Sequence, residues 1–102
     1  MLIANCRIKR IVVDNGSSTN VIFLNALKDM NLDEAHMHHR STVLVKFSGE
    51  KKLTLGDITL PVYVAGIDLH ITFVVLDNTS AYNVILGRPW IHEMRAVPST
   101  FH

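Results

Sequence analysis

Two stretches of this chain are copies of one pattern. Asp14-Asn15-Gly16-Ser17-Ser18-Thr19-Asn20-Val21-Ile22-Phe23-Leu24 can be set, without a gap, over Asp77-Asn78-Thr79-Ser80-Ala81-Tyr82-Asn83-Val84-Ile85-Leu86-Gly87. The Asp, first Asn, first Ser, second Asn, Val and Ile coincide, which is six of eleven positions. An apolar triplet precedes each copy: Ile11-Val12-Val13 before the first, Val74-Val75-Leu76 before the second. Val/Ile triplets read as strands, and the Asp/Asn/Ser/Gly clusters between them read as turns. The repeat predicts two strand–turn–strand–helix units related by a pseudo-twofold axis inside one domain.

The first copy carries the sharper chemistry. Ile11, Val12 and Val13 deliver one carboxylate, Asp14, into a tight turn containing Gly16, and the hydroxyls of Ser17 and Ser18 follow. Two readings stand side by side. Asn-Gly between apolar runs is a strong signal for a two-residue hairpin, which would pair Ile11–Val13 with Val21–Phe23. Alternatively Gly16, able to adopt φ > 0, lets the backbone fold beneath Asp14 and present it for reaction.

Composition narrows the class. The chain has 102 residues, enough for one domain with a modest core, and is 48% hydrophobic and 19% charged, as ordinary folded domains are. A formal charge of +1 leaves no electrostatic footprint for nucleic acid, and Lys9-Arg10 and Lys51-Lys52 read as solvated pairs. The single cysteine, Cys6, rules out an intrachain disulfide, reads as a small buried or edge residue, and fits a reducing, cytoplasmic setting. No run has the apolar length of a membrane span, and the apolar residues at the N-terminus precede the basic ones, the wrong order for a secretory signal.

Most of the chain reads as β. Ile8–Val13 is a strand, and residues 23–30 form a short helix with Phe23, Leu24, Leu27 and Met30 on one stripe, ended by Asn31 as a left-handed residue. Residues 33–41 are polar and His-rich and read as a loop. Residues 42–47 alternate as a strand, and 48–51 turn. Leu53 and Leu55 then sit on odd positions while Ile58, Leu60, Val62 and Val64 sit on even ones, so a bulge or bend belongs at Gly56-Asp57. A turn over 65–68 precedes a strand over 69–76. Val84–Leu86 is a short buried strand, Pro89 opens a helix running to about Arg95, and 97–101 begins another strand.

The order strand, Asp-x-Gly-Ser-Ser, helix, hairpin with a Gly-containing tip, then Ile85-Leu86-Gly87 before a helix resembles the retropepsins, the aspartic peptidases of retroviruses and long-terminal-repeat retrotransposons. Phe47-Ser48-Gly49-Glu50, Ala81–Pro89 and Ala96-Val97-Pro98-Ser99-Thr100 look like the protease segment of gypsy-type elements of plants. The resemblance covers nearly the whole chain. It implies a mainly β, closed barrel-like fold with one or two short helices, and a twofold homodimer with one active site at its axis. By carry-over, Asp14 is the catalytic acid, Asn15 and Gly16 shape its loop, and Ser17 and Ser18 support it. Residues about 46–54 match the flap, tipped at Ser48-Gly49-Glu50. Ile85, Leu86 and Gly87 pack behind the catalytic loop, with Gly87 permitting close backbone approach, and Arg88 pairs with an acid such as Asp29 or Asp33 or lies on the surface. Asn15 stands where many members have Thr or Ser. Both ends look clipped relative to the family's interleaved terminal strands.

Peptide hydrolysis by carboxylates needs one group to take a proton from water while another protonates the carbonyl oxygen. Two carboxylates a few ångströms apart do this by sharing one proton, and aspartic peptidases are the standard case. The second carboxylate is expected from Asp14 of a second copy. Asp77, the repeat's counterpart, is the one-chain alternative, although Thr79 stands where the motif needs Gly. His36, His38 and His39 with Met37 have no standard metal spacing, and Trp90 and Met94 read as core. The expected function is an aspartic endopeptidase that processes a retroelement polyprotein as a homodimer, with a polypeptide substrate, no cofactor, no metal, no nucleic acid and no membrane. The alternative is a non-catalytic retropepsin-like domain that only folds or self-associates.

Overall fold

The structure, a computed structural model, describes residues 1–32, 36–39, 44–47, 50–77 and 82–95. The protein is mainly β. In chain order its elements are β1 (Leu2–Ile3), β2 (Cys6–Arg7), β3 (Ile11–Val13), β4 (Val21–Phe23), α1 (Leu24–Asp29), β5 (His38–His39), β6 (Leu44–Phe47), β7 (Glu50–Leu53), β8 (Gly56–Val64), β9 (Ile67–Leu76), β10 (Val84–Leu86) and α2 (Arg88–Arg95). One curled sheet follows the path β2-β1-β8-β9-β4-β10-β3, with β5 paired to β8 off that path; β6 and β7 form a separate hairpin.

The curl has a simple cause. Strands β2 and β3 stand at opposite ends of the path, yet only Ile8, Lys9 and Arg10 separate them in sequence. Seven strands laid flat would put the two ends about 29 Å apart, whereas the link from Arg7 to Ile11 reaches at most about 14 Å. The sheet must therefore wrap round. The expected single strand over Ile8–Val13 is corrected accordingly. Residues 2–7 fold into a hairpin through Ala4 and Asn5, both left-handed at φ 50 and 65. The chain then crosses to the other end, where the Arg10 carbonyl accepts the N–H groups of Asn83 (2.7 Å) and Val84 (3.3 Å).

The four strands at the β3 end of the path carry the repeat. β3 pairs in parallel with β10 (Ile11↔Val84, Val12↔Ile85, Val13↔Leu86), and β4 pairs in parallel with β9 (Val21↔Val74, Ile22↔Val75, Phe23↔Leu76). Replacing each residue of the first ladder by its repeat counterpart gives the second ladder, pair for pair. The two halves join through the antiparallel pair β4–β10. The equivalence is one of pairing and not of facing. Val21, Phe23, Leu76 and Ile85 pack on one side of the sheet, whereas Ile22, Val75, Val84 and Leu86 pack into the larger core on the other. Both faces are thus covered, which is why Val21–Phe23 and Val84–Leu86 are continuous apolar runs rather than alternating ones.

β8 and β9 form the long hairpin that supplies a large share of the larger core. Ile58 pairs with Phe73 and Leu60 with Ile71 across it, and these four are buried together with Val62 and Val75. Its turn is only Ala65-Gly66, at φ 51 and 80, a two-residue turn whose left-handed pair matches the twist of the strands. The break between β7 and β8 falls at Thr54-Leu55, just ahead of the expected bend at Gly56-Asp57; Thr54 is buried there, and Leu55 N–H donates to the Val75 carbonyl at 2.9 Å. Part of the expected loop 33–41 is strand: His38 and His39 pair with Asp57 and Gly56, and Met37 is core.

The helix expected over 23–30 is present as α1, Leu24–Asp29, with Leu24, Leu27 and Met30 in the larger core; Phe23 is corrected to the last residue of β4, packed on the other side of the sheet. The helix closes with Asn31 at φ 61, while the N–H groups of Asn31 and Leu32 donate to the carbonyls of Lys28 (3.1 Å) and Leu27 (2.9 Å). This is the αL-terminated motif in which both orphan carbonyls are capped. α2 runs to Arg95 as expected, with Trp90 buried and Met94 packed partly against the core. The expected strand over 97–101 lies outside the described residues.

Candidate active site

Asp14 follows β3 directly, and three backbone-level contacts decide where it sits. Its N–H donates to the Leu86 carbonyl at 2.8 Å, extending the β3–β10 ladder by one residue. Its carbonyl accepts the N–H of Ser17 at 3.1 Å, closing a turn with Asn15 and Gly16 in the middle. Its side-chain Oδ1 accepts the N–H of Gly16 at 2.8 Å. Asp is favoured at the head of such turns because its carboxylate reaches the N–H two residues on. One carboxylate oxygen is thereby aimed before any ligand arrives.

The two-residue hairpin is ruled out, since β10 lies between β3 and β4. The role expected for Gly16 is corrected as well. Its φ lies outside the left-handed region, and its value is space: a Cβ there would sit 3.1 Å from Asp14 Oδ1. β3 is also not a buried strand. Ile11 and Val12 are half-buried, and Val13 is 56% exposed.

The segment Leu86–Arg88 holds the loop from behind. Besides the Asp14–Leu86 bond, Arg88 N–H donates to the Ser17 carbonyl at 3.0 Å, and Gly87 N–H donates to Asn20 Oδ1 at 2.9 Å. A Cβ at Gly87 would fall on the Thr19 carbonyl oxygen and stand 2.8 Å from the Ser17 carbonyl oxygen. The close approach expected of Gly87 is therefore present and leaves no room for a methyl group. Ser17 is fully buried and its Oγ donates to the Thr19 carbonyl at 2.7 Å, so it is part of the support. The side chain of Ser18, grouped with it by resemblance, is exposed, as are Asn15 and Gly16. Ile85 and Leu86 are buried. Arg88 is exposed and meets the loop through its backbone, and Asp33 lies outside the described residues.

Asn20 is the supporting residue that sequence reasoning passed over. It is buried, and its amide oxygen joins the loop to Gly87. The signal was there in the repeat, where Asn20 coincides with Asn83.

Of the expected flap, β6 and β7 are paired antiparallel, from Leu44 opposite Leu53 to Phe47 opposite Glu50. Its tip, Ser48-Gly49, lies outside the described residues.

Asp77 occupies the counterpart position at the end of β9 and is exposed. It belongs to the other end of the ladder. Asp14 adjoins Leu86, the last residue of β10, whereas Asp77 follows Leu76, which pairs with Phe23, and Phe23 N–H reaches the Asn83 carbonyl just before β10 begins. Strands β3 and β9 are further separated by β10 and β4, about 14 Å measured along the sheet. Two carboxylates so placed do not share a proton, so Asp77 is not the missing partner of Asp14 within one chain.

Beside Asp14, Val13 lines an apolar groove of about 510 Å³ with Val64, Trp90, Ile91, Met94 and Arg95. No helix among the described residues is long and apolar enough to cross a membrane. Compared with known proteins, the chain matches no family model and no curated sequence, so the chemistry of the site rests on its own geometry.

Proposed function

We propose that this chain is an aspartic endopeptidase domain, active as a homodimer in which Asp14 of each protomer forms the catalytic pair, and that it processes a retroelement polyprotein. The observation that supports this best is the presentation of Asp14. A half-buried carboxylate stands at a strand end, one oxygen fixed by the Gly16 N–H, on a loop that Leu86–Arg88 clamps from behind. The counterpart Asp77 lies at the opposite end of the ladder, with two strands between β9 and β3, so this reading takes the second carboxylate from another copy. The exposed Val13 and its apolar groove beside Asp14 offer that copy a surface to cover.

In this reading the two Asp14 carboxylates hold one proton between them. The charged member takes a proton from water as the water oxygen attacks the scissile carbonyl carbon. The neutral member gives its proton to the carbonyl oxygen. The tetrahedral adduct then collapses: the amine leaves with the proton taken up by the first carboxylate, and one hydroxyl of the adduct returns its proton to the second, so the pair again holds one. The β6–β7 hairpin acts as the flap over the peptide, and the curled sheet completes a barrel-like body.

The test is cleavage of an unstructured polypeptide at mildly acidic pH, with and without pepstatin, across a range of chain concentrations beside sedimentation. Pepstatin-sensitive cleavage that tracks the dimer supports the proposal. A dimer with no cleavage would contradict it.

A further inference from the structure

We propose that Asn15 is a site of spontaneous deamidation, and that the carboxylate of Asp14 restrains the reaction by holding the Gly16 N–H. Asn15 is the only asparagine in the sequence followed by glycine. Without a Cβ on the following residue, the backbone nitrogen approaches the asparagine side chain with least hindrance. Asn15 and Gly16 are both exposed, in the loop between β3 and β4 rather than in an element. The other described asparagines are worse placed. Asn25 lies in α1, Asn20 is buried and bonded to Gly87, Asn83 is half-buried and bonded to Arg10, and Asn5 and Asn31 precede Cys6 and Leu32.

The reaction balances with water alone. The Gly16 nitrogen loses its proton to hydroxide and bonds to Asn15 Cγ, and the side-chain nitrogen leaves as ammonia. Water then opens the cyclic imide at either carbonyl, leaving aspartate or isoaspartate at position 15. The nitrogen that must attack is the one whose N–H donates to Asp14 Oδ1 at 2.8 Å. That bond holds the proton which has to leave, and the carboxylate's charge opposes the negative charge growing on nitrogen. Asp14 is therefore a latch on its neighbour.

The product places a second carboxylate next to Asp14, and the isoaspartate form adds a backbone atom inside the turn that Ser17 N–H closes on the Asp14 carbonyl. The chemistry needs no peptidase activity and stands whether or not the chain cleaves peptides.

The test incubates the folded full chain at neutral and mildly alkaline pH. Peptide mass spectrometry follows each asparagine and separates aspartate from isoaspartate, while hydrogen exchange of the β3 and β10 amides reports the fold. Asn15 is expected to convert first, faster at higher pH, and Asp14→Ala to speed it several-fold, with Ser17→Ala giving no comparable gain. Conversion of another asparagine first in the folded wild type would overturn the site. An unchanged or slower rate at Asn15 in folded Asp14→Ala, or an equal gain in Ser17→Ala, would overturn the latch. Should Asp14→Ala not fold, the wild type decides: conversion at Asn15 no slower in the native chain than in denaturant would overturn the latch.

Discussion

The side chain of Asn20 and the backbone of Gly87 are joined by a buried hydrogen bond, Gly87 N–H to Asn20 Oδ1 at 2.9 Å. It ties the end of the Asp14 loop to the segment behind it. Replacing Asn20 by Ala leaves the Gly87 N–H buried without its acceptor, at a cost of about 1–3 kcal/mol. Urea unfolding of Asn20→Ala should show that loss as a lower midpoint with an unchanged slope.

Gly87 leaves less room for a side chain than Gly16 or Gly66. A Cβ at Gly87 meets main-chain atoms of Thr19 and Ser17, which cannot swing aside as a side chain would. Gly87→Ala should cost about 1–3 kcal/mol or more, because strand and loop must separate to admit it. Gly66→Ala meets open space and bears only the strain of φ 80 in a second residue of the turn, so it should cost about 1 kcal/mol. Thermal or urea unfolding of the two variants side by side checks the order.

Asn31 tests the end of α1. At φ 61 glycine is at ease and alanine is not. Asn31→Gly should leave stability nearly unchanged, while Asn31→Ala should lower it by about 1 kcal/mol. The reverse order in unfolding experiments would mean that the Asn31 side chain, and not its backbone angle, holds the helix end.

Val13 separates folding from association. It is 56% exposed and lines the groove beside Asp14, so a charge there touches little of the folded core. Val13→Lys should keep the monomer's unfolding midpoint within about 0.5 kcal/mol of the wild type. It should also shift sedimentation toward monomer and remove any cleavage that depends on the dimer. Loss of the fold in Val13→Lys would place Val13 in the core instead.

What the sequence made legible followed from signals that burial strengthens. Val21–Phe23 and Val84–Leu86 are continuous apolar triplets because both faces of their strands are covered, and their matching flanks marked them as counterparts without saying which strands would pair. α1 was readable from its stripe and from Asn31, and α2 from Pro89. The N-terminal hairpin was not, because its turn is Ala4-Asn5, where an alanine takes a left-handed angle that propensity argues against. The facing of the repeat was illegible too: counterparts such as Val21 and Val84 are alike in sequence but pack on opposite sides of the sheet. At the site, Asp14, Ser17 and Gly87 stood out by residue type. Asn20 did not: only its coincidence with Asn83 in the repeat marked it, and that does not say that its amide oxygen accepts a buried main-chain N–H.

The central claim is that catalysis takes one Asp14 from each of two chains. The most direct measurement mixes wild-type and Asp14→Asn chains at fixed total concentration, lets them exchange, and follows peptide cleavage against the wild-type fraction. Mixed dimers carry one carboxylate and are dead, so activity should fall as the square of that fraction and vanish for Asp14→Asn alone. A fall in simple proportion to the wild-type fraction, or cleavage surviving in pure Asp14→Asn, would contradict the account and return the search for the second carboxylate to the single chain.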